Sequence, residues 1–263
     1  MFIDSHCHLN YPGIAEQQDA VIARARAAGV TGMLNISTRA SEWDAVIGVA
    51  RRHDGIWASV GIHPHDADNH VDIDTARLLD AVIDPKVVAI GETGLDYYYD
   101  KSDRERQRAS FRSHIAAARD SDLPIIVHTR EAEEDTATIL ADEMGKGAFN
   151  GVIHCFTASQ AFADKALALG LYISMSGIVT FKNARDLQQV ARSIPENRLL
   201  IETDSPFLAP VPHRGKQCEP AFVADTARFL AELRGVSVEA LAATTAANFH
   251  RLFSRAQFSG AML

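Results

Sequence analysis

Residues 4–8 read DSHCH, which sets Asp4, His6 and His8 on alternate positions. In an extended strand alternate side chains share a side, so His6 and His8 make a pair of nitrogen donors and Cys7 points away. Asp4 is expected on the donors' side, one layer below His6. Further along, short apolar runs end in His63, Glu92, His128 and His154, and the run near residue 200 ends in Glu202 and Asp204. Of the chain's 11 histidines, His6, His8, His63, His128 and His154 fall on four such ends, which scatter does not produce. Imidazoles and carboxylates converging on one place are the donor set of a divalent-metal centre.

Four imidazoles and two carboxylates exceed what one tetrahedral ion takes. They suit two ions, with His6 and His8 on one and His128 and His154 on the other. Glu92 comes from the strand between these pairs and would bridge them, while Asp204 would complete the first site. Such a centre activates water and stabilises a leaving oxygen, and Asp204 is placed to take the water's proton. Buried carboxylates need partners, so Asp4 and Glu202 are expected to support the imidazoles or polar neighbours. Imidazole-rich ligation favours Zn, Mn, Fe, Co or Ni for tight binding, with Mg possible in turnover.

These residues must be held by a scaffold. The strand candidates are 2–8, 32–37, 56–63, 87–92, 124–129, 151–156, 171–176 and 198–204, each short, apolar and bounded by Gly, Pro, Asn or charge. Helical patterns follow at 15–28, 40–53, 72–83, 103–120, 131–144, 158–169 and 182–193, then 220–234 and 237–253. Ser41, Ser102 and Ser237 are expected N-caps, and Gly29 and Gly170 stand where helices should end. Eight strand–helix repeats predict an α/β fold of the closed (β/α)8, or TIM-barrel, type, one domain over 1–263. An open doubly wound sheet is disfavoured, since no GxGxxG turn follows the first strand. In a barrel, all the residues above lie at the C-terminal mouth, where active sites sit.

The net charge of −8 argues against a protein that coats duplex, but not against an enzyme holding one or two phosphates at a local cationic site. The cysteines, Cys7, Cys155 and Cys218, are odd in number and far apart, as in a reducing compartment. Cys7 and Cys155 are expected to pack outward beneath helices. No export signal or membrane span is visible, so a cytoplasmic monomer with no obligate partner is the simple expectation. His53, His70, His114 and His250 read as surface or packing residues, and His213 is undecided.

DSHCHL, VGIHPH, IGETGLDYYYD, PIIVHTR, GVIHCFT and IETDSPFL occur in an order that resembles the TatD family of metal-dependent deoxyribonucleases, across essentially the whole chain. The resemblance implies a metal-dependent hydrolase barrel with His6, His8, Glu92, His128, His154 and Asp204 at the metals. It implies further that HPH places His63 and His65 at the active site, His63 against a phosphate. The implied activity is DNA hydrolysis, including 3′→5′ exonuclease action on single strands. One departure stands out: RGKQCEP replaces the family's RGKRNEP, so Gln217 and Cys218 stand where Arg and Asn are usual.

For a nucleic-acid end, Arg130, Lys182, Arg214 and Lys216 are candidate phosphate contacts. Tyr97, Tyr98 and Tyr99 are candidate stacking platforms, each stacked base being worth roughly 1–3 kcal/mol; alternatively they pack the loop onto the barrel. The same centre could instead cleave a carboxyl ester or amide, such as a lactone or a D-aminoacyl-tRNA. A non-enzymatic barrel is disfavoured because the whole donor set is present.

Overall fold

The structure is a computed structural model and describes residues 1–258. Eight strands, β1 (Phe2–Cys7), β2 (Val30–Asn35), β3 (Ile56–Val60), β4 (Val87–Asp96), β5 (Ile125–Arg130), β6 (Gly151–Ile153), β7 (Tyr172–Met175) and β8 (Leu199–Ile201), pair in parallel in sequence order. The helices between them are α1 (Gln18–Ala27), α2 (Trp43–Arg52), α3 (Thr75–Ala81), α4 (Arg104–Ser121), α5 (Glu133–Lys146), α6 (Gln160–Ala168) and α7 (Arg185–Ser193). After β8 come α8 (Val223–Arg234) and α9 (Val238–Leu252). The barrel closes just beyond the formal strands, where Asp204 N–H donates to the His6 carbonyl (2.9 Å) and His8 N–H to the Ser205 carbonyl (2.8 Å).

Strand alternation sorts the core into two layers. Ile3, Leu34, Trp57, Val88, Ile126, Val152, Tyr172 and Leu200, one from each strand, fill the barrel, and Phe249 and Phe253 plug its floor. Residues of opposite parity, such as Met33, Val60, Ile125 and Ile173, pack under helical residues including Phe111, Ile115 and Leu140. Each fully buried side chain of this size contributes about 1.5–3 kcal/mol. Two positions after Ile126, Val152 and Leu200, the same parity brings His128, His154 and Glu202 above the apolar floor.

β1 departs from this rule. Ile3 joins the inner layer and Ser5 Oγ lies 3.1 Å from Ser174 Oγ across the barrel. A register irregularity between Asp4 and Cys7 then turns His6 inward, onto His154, and leaves Cys7 in the outer layer. Asp4 therefore lies on the opposite side from His6, contrary to the alternation expected from DSHCH.

β4 is longer than the sequence suggests, running past Glu92 to Asp96. Glycines at 91 and 94 look like strand breakers, but here they permit close approach. A Cβ on Gly61 would stand 2.5 Å from Gly91 Cα, and one on Gly94 (φ +140°) would collide with the His128 carbonyl. Close packing of β3, β4 and β5 sets Glu92 among the histidines. The short β6 and β8 end before His154 and Asp204, which stand just past the ladders.

Ser237 caps α9, accepting the Ala240 N–H (3.1 Å). Gly29 (φ +87°) and Gly170 (φ +81°) follow the ends of α1 and α6. Ser41 instead lies inside a 3-10 turn, Ala40–Glu42, that leads into α2. Asp103 caps α4, which frees Ser102 Oγ to donate to the His65 carbonyl (2.9 Å). No described helix is long and apolar enough to cross a membrane.

Candidate metal centre

Glu92 stands at the centre of the barrel mouth. Its Oε2 lies 3.3 Å from His6 Nε2, and its Oε1 lies 2.8 Å from His154 Nε2, 3.1 Å from His128 Nδ1 and 3.4 Å from His63 Nε2. Asp204 Oδ1 is 3.5 Å from His8 Nε2 and 3.6 Å from His6 Nε2. The structure thus brings together all six residues of the expected donor set, with His63 beside them. Burial alone would raise the Glu92 carboxyl, but the charge of His154 and the bonds from His128 and His154 hold it well below the usual range. Burial opposes charge on His154 too, yet Glu92 and Glu202 carry it well above an ordinary imidazole. Asp204 is likewise lowered despite burial, by its bond to His8 and the charge of His6.

The outer ring nitrogens decide what each imidazole offers the centre. His8 Nδ1 donates to the Ile36 carbonyl (3.2 Å), His128 Nε2 to Asp96 Oδ2 (3.1 Å) and His154 Nδ1 to Glu202 Oε1 (3.3 Å). Each bond commits the outer N–H, so the inner nitrogen is the one that gives up its proton and offers a lone pair when a cation arrives, the arrangement that prepares a histidine for a metal. His6 Nδ1 and Glu202 Oε2 make no hydrogen bond although both are buried, and His6 Nε2 meets only the carboxylates of Glu92 and Asp204. Buried polar atoms without partners are costly, so the donor set fits divalent cations.

His63 is reversed. Its Nδ1 accepts the His65 N–H (3.1 Å), so the neutral ring carries its proton on Nε2, facing Glu92. Burial lowers His63 to about 4, which keeps it neutral near pH 7. It therefore offers the centre a hydrogen-bond donor rather than a lone pair.

The sequence profile of the TatD related DNase family matches residues 3–254. The chain belongs to the TatD family. It is 46% identical over 254 residues to the metal-dependent hydrolase YcfH of Escherichia coli strain K12, covering 95% of both chains. It is 38% identical over 257 residues to the 3′-5′ ssDNA/RNA exonuclease TatD of Erwinia tasmaniensis, covering 95% of this chain and 99% of that one. The crystal structure of YJJV, a TatD homologue from Escherichia coli, superposes with a TM-score of 0.90 at 30% identity, over 96% of this chain and 98% of that one. As a member of the TatD family, the chain is a metal-dependent hydrolase.

The supporting residues of this TatD-family barrel divide. Glu202 bonds His154 and also accepts the Cys155 N–H (2.7 Å). Asp4 bonds no imidazole ring: it accepts the Thr203 N–H (2.9 Å) and hydroxyl (2.6 Å) and so pins the backbone between Glu202 and Asp204. Cys7 is buried in the outer layer as expected. Cys155 has left the strand: its φ is +42°, and its thiol donates to Ser176 Oγ (3.2 Å) rather than packing under a helix. His65 Nε2 lies 2.8 Å from Asp96 Oδ2.

The tyrosine run splits as well. Tyr97 faces the helices, its hydroxyl donating to Asp135 (2.6 Å) and accepting from Arg108 (2.7 Å), so it is not a platform at the mouth. Tyr98 and Tyr99 are 52% and 50% exposed, and the Arg130 guanidinium lies 4.0 Å and 4.8 Å from their ring centres. Arg214 lies over Phe181 (4.4 Å), while Lys182 and Lys216 are exposed. His213 stacks on Phe222 (3.8 Å) and bonds Asp225 (3.1 Å), a packing role. Gln217 fills the space above Gly13, and Cys218 is buried, its N–H donating to the Pro206 carbonyl (3.0 Å). The two unusual residues thus serve the loop after β8.

Two residues escaped the sequence reading. Asp96, fully buried, bonds both His65 and His128; its place in GLDYYYD, four residues after Glu92, was the available signal. Phe207, 51% exposed, meets His8 (6.4 Å) and Tyr11 (6.1 Å) edge-on, and Tyr11 in turn stacks on His8 (4.4 Å). Phe207 lies in the quoted DSPFL, but an aromatic ring in a proline turn does not announce its exposure.

Proposed function

We propose that this chain is a two-ion phosphodiesterase that removes nucleotides from the 3′ ends of single-stranded DNA. The observation that carries the two-ion reading is the division of Glu92, whose Oε2 faces His6 while Oε1 faces His128 and His154. His6, His8 and Asp204 would hold one ion and His128 and His154 the other, with Glu92 between them. Bound there, divalent ions supply Lewis acidity, polarising a phosphoryl oxygen and lowering the pKa of a water.

The protein's own groups do the rest. Asp204, ionised and only partly covered, receives the proton of the attacking water at a carboxylate oxygen. His63 presents Nε2–H to a non-bridging phosphate oxygen as charge builds on it, an electrostatic role. Arg130, held against Tyr98 and Tyr99, meets the next phosphate, and those rings and Phe207 offer faces to unpaired bases. Bases stack on such faces only when they are out of a duplex, which favours a strand end. The name of the Erwinia tasmaniensis relative supports the same substrate.

The test incubates metal-reconstituted protein with 3′- and 5′-labelled single-stranded DNA, matched RNA and a D-aminoacyl-tRNA. Stepwise shortening from the 3′ end, abolished along with metal loading in Glu92→Ala, is the expected result. Turnover of the carboxyl ester without cleavage of any nucleic acid would replace this reading.

A further inference from the structure

Asp96 gathers four donors on one buried carboxylate. Its Oδ1 accepts the N–H groups of Tyr98 (3.1 Å) and Tyr99 (2.8 Å). Its Oδ2 accepts Nε2–H of His65 (2.8 Å) and of His128 (3.1 Å). The main chain of Asp96 is held from behind by Gln107 of α4, which accepts its N–H (2.8 Å) and donates to its carbonyl (3.3 Å). No lysine or arginine among the described residues forms an ion pair with it, so its charge is balanced by these donors alone.

We infer that Asp96 is a positioning residue that sets two parts of the site from one anchor: it holds His128 with Nδ1 turned to the centre, and it fixes the Tyr98–Tyr99 turn with His65 against it. This rests on the two-ion reading for the role of His128. The chemistry explains why a carboxylate is needed. All four partners donate, and an ionised carboxylate only accepts. Asparagine has one accepting oxygen and an NH2 group, so it can serve either the turn amides or the imidazoles, and it sets donor against donor on the other side. Losing the imidazole side frees His128 to rotate or change tautomer; losing the turn side frees the shelf that carries Arg130.

The experiment compares wild type, Asp96→Asn and a Tyr98→Ala/Tyr99→Ala double variant, which removes the rings and keeps the backbone donors. Zn2+ binding is measured by titration against a competing chelator, KM on an end-labelled oligonucleotide, and the histidine ring protons by 15N NMR. The His128 signals are assigned by their absence in His128→Asn. In the wild type a downfield, slowly exchanging Nε2–H of His128 is expected, absent in Asp96→Asn. Asp96→Asn should bind one Zn2+ equivalent about 10–100-fold more weakly and leave the other unchanged, with a higher KM. The double variant should raise KM with both equivalents intact.

The inference is overturned if Asp96→Asn binds both equivalents as wild type does, or if the wild-type His128 carries no proton on Nε2. Should Asp96→Asn fail to fold, the wild-type tautomer decides. A wild type that binds no Zn2+ sinks the two-ion reading, while the hydrogen-bonded Nε2–H still tests Asp96 in the metal-free protein.

Discussion

His63 differs from His8, His128 and His154 in the side of the ring that is already bonded. A backbone N–H at Nδ1 makes His63 a donor toward the centre, whereas acceptors behind His8, His128 and His154 hold the outer N–H and leave the inner nitrogen of each ring to exchange its proton for a cation. His63→Ala is therefore expected to lower kcat by about 100-fold or more, as loss of a transition-state donor does, with metal stoichiometry unchanged. Loss of a bound equivalent, measured by metal analysis of the purified variant, would make His63 a ligand instead. The residue types were legible in the chain, since HPH stands out as plainly as HCH. Which nitrogen carries the proton was not, because Ile36, Asp96 and Glu202 reach these rings from other strands.

At the scale of elements, α4 steadies the end of β3 through His114. Its Nε2 accepts the Ile62 N–H (2.9 Å) and its Nδ1 donates to the Ser110 carbonyl (2.7 Å), so the ring is fully used and neutral one residue behind His63. Burial lowers His114 from 6.5 to about 4. Protons then bind the unfolded chain more readily than the native one between those values. The stabilisation is complete above about 6.5 and falls as the pH drops to about 4, by about 3 kcal/mol in all. Urea unfolding of wild type and His114→Gln across this range should give curves that converge at low pH; parallel curves would refute the assignment. His114 was read as a surface or packing residue, and its alignment with β3 follows only from how α4 lies on the barrel.

For the whole molecule, cations at the mouth would cross-link β1, β4 and β5 to the segments that follow β6 and β8. A ligand at a hundredfold excess over its Kd adds about 2.7 kcal/mol of stability. For a protein of this size that corresponds to a rise in Tm of roughly 5–10 °C. Zn2+, Mn2+, Co2+ or Ni2+ should produce such a shift in differential scanning fluorimetry, a chelator should remove it, and Glu92→Gln should blunt it. No shift with any of these ions would contradict a tight imidazole-rich site. The gathered carboxylates suit such binding, and the net charge of −8 leaves substrate attraction to local cations such as Arg130.

By itself the sequence determined the period of the barrel, the parity that brings His128, His154 and Glu202 onto one face, and the donor types of the centre. These are local properties, written in strand alternation and in side-chain chemistry. The tertiary structure decided what depends on neighbours from other strands. It turned His6 inward at an irregularity opposite β2 and sent Asp4 to Thr203. It let β4 run on through Gly91 and Gly94 because β3 and β5 press close there. It split three consecutive tyrosines between packing and exposure, and it placed Asp96 where two imidazoles and two backbone amides meet. The hydrogen bonds that orient His8, His128 and His154 need both partners in position, and no single strand carries both.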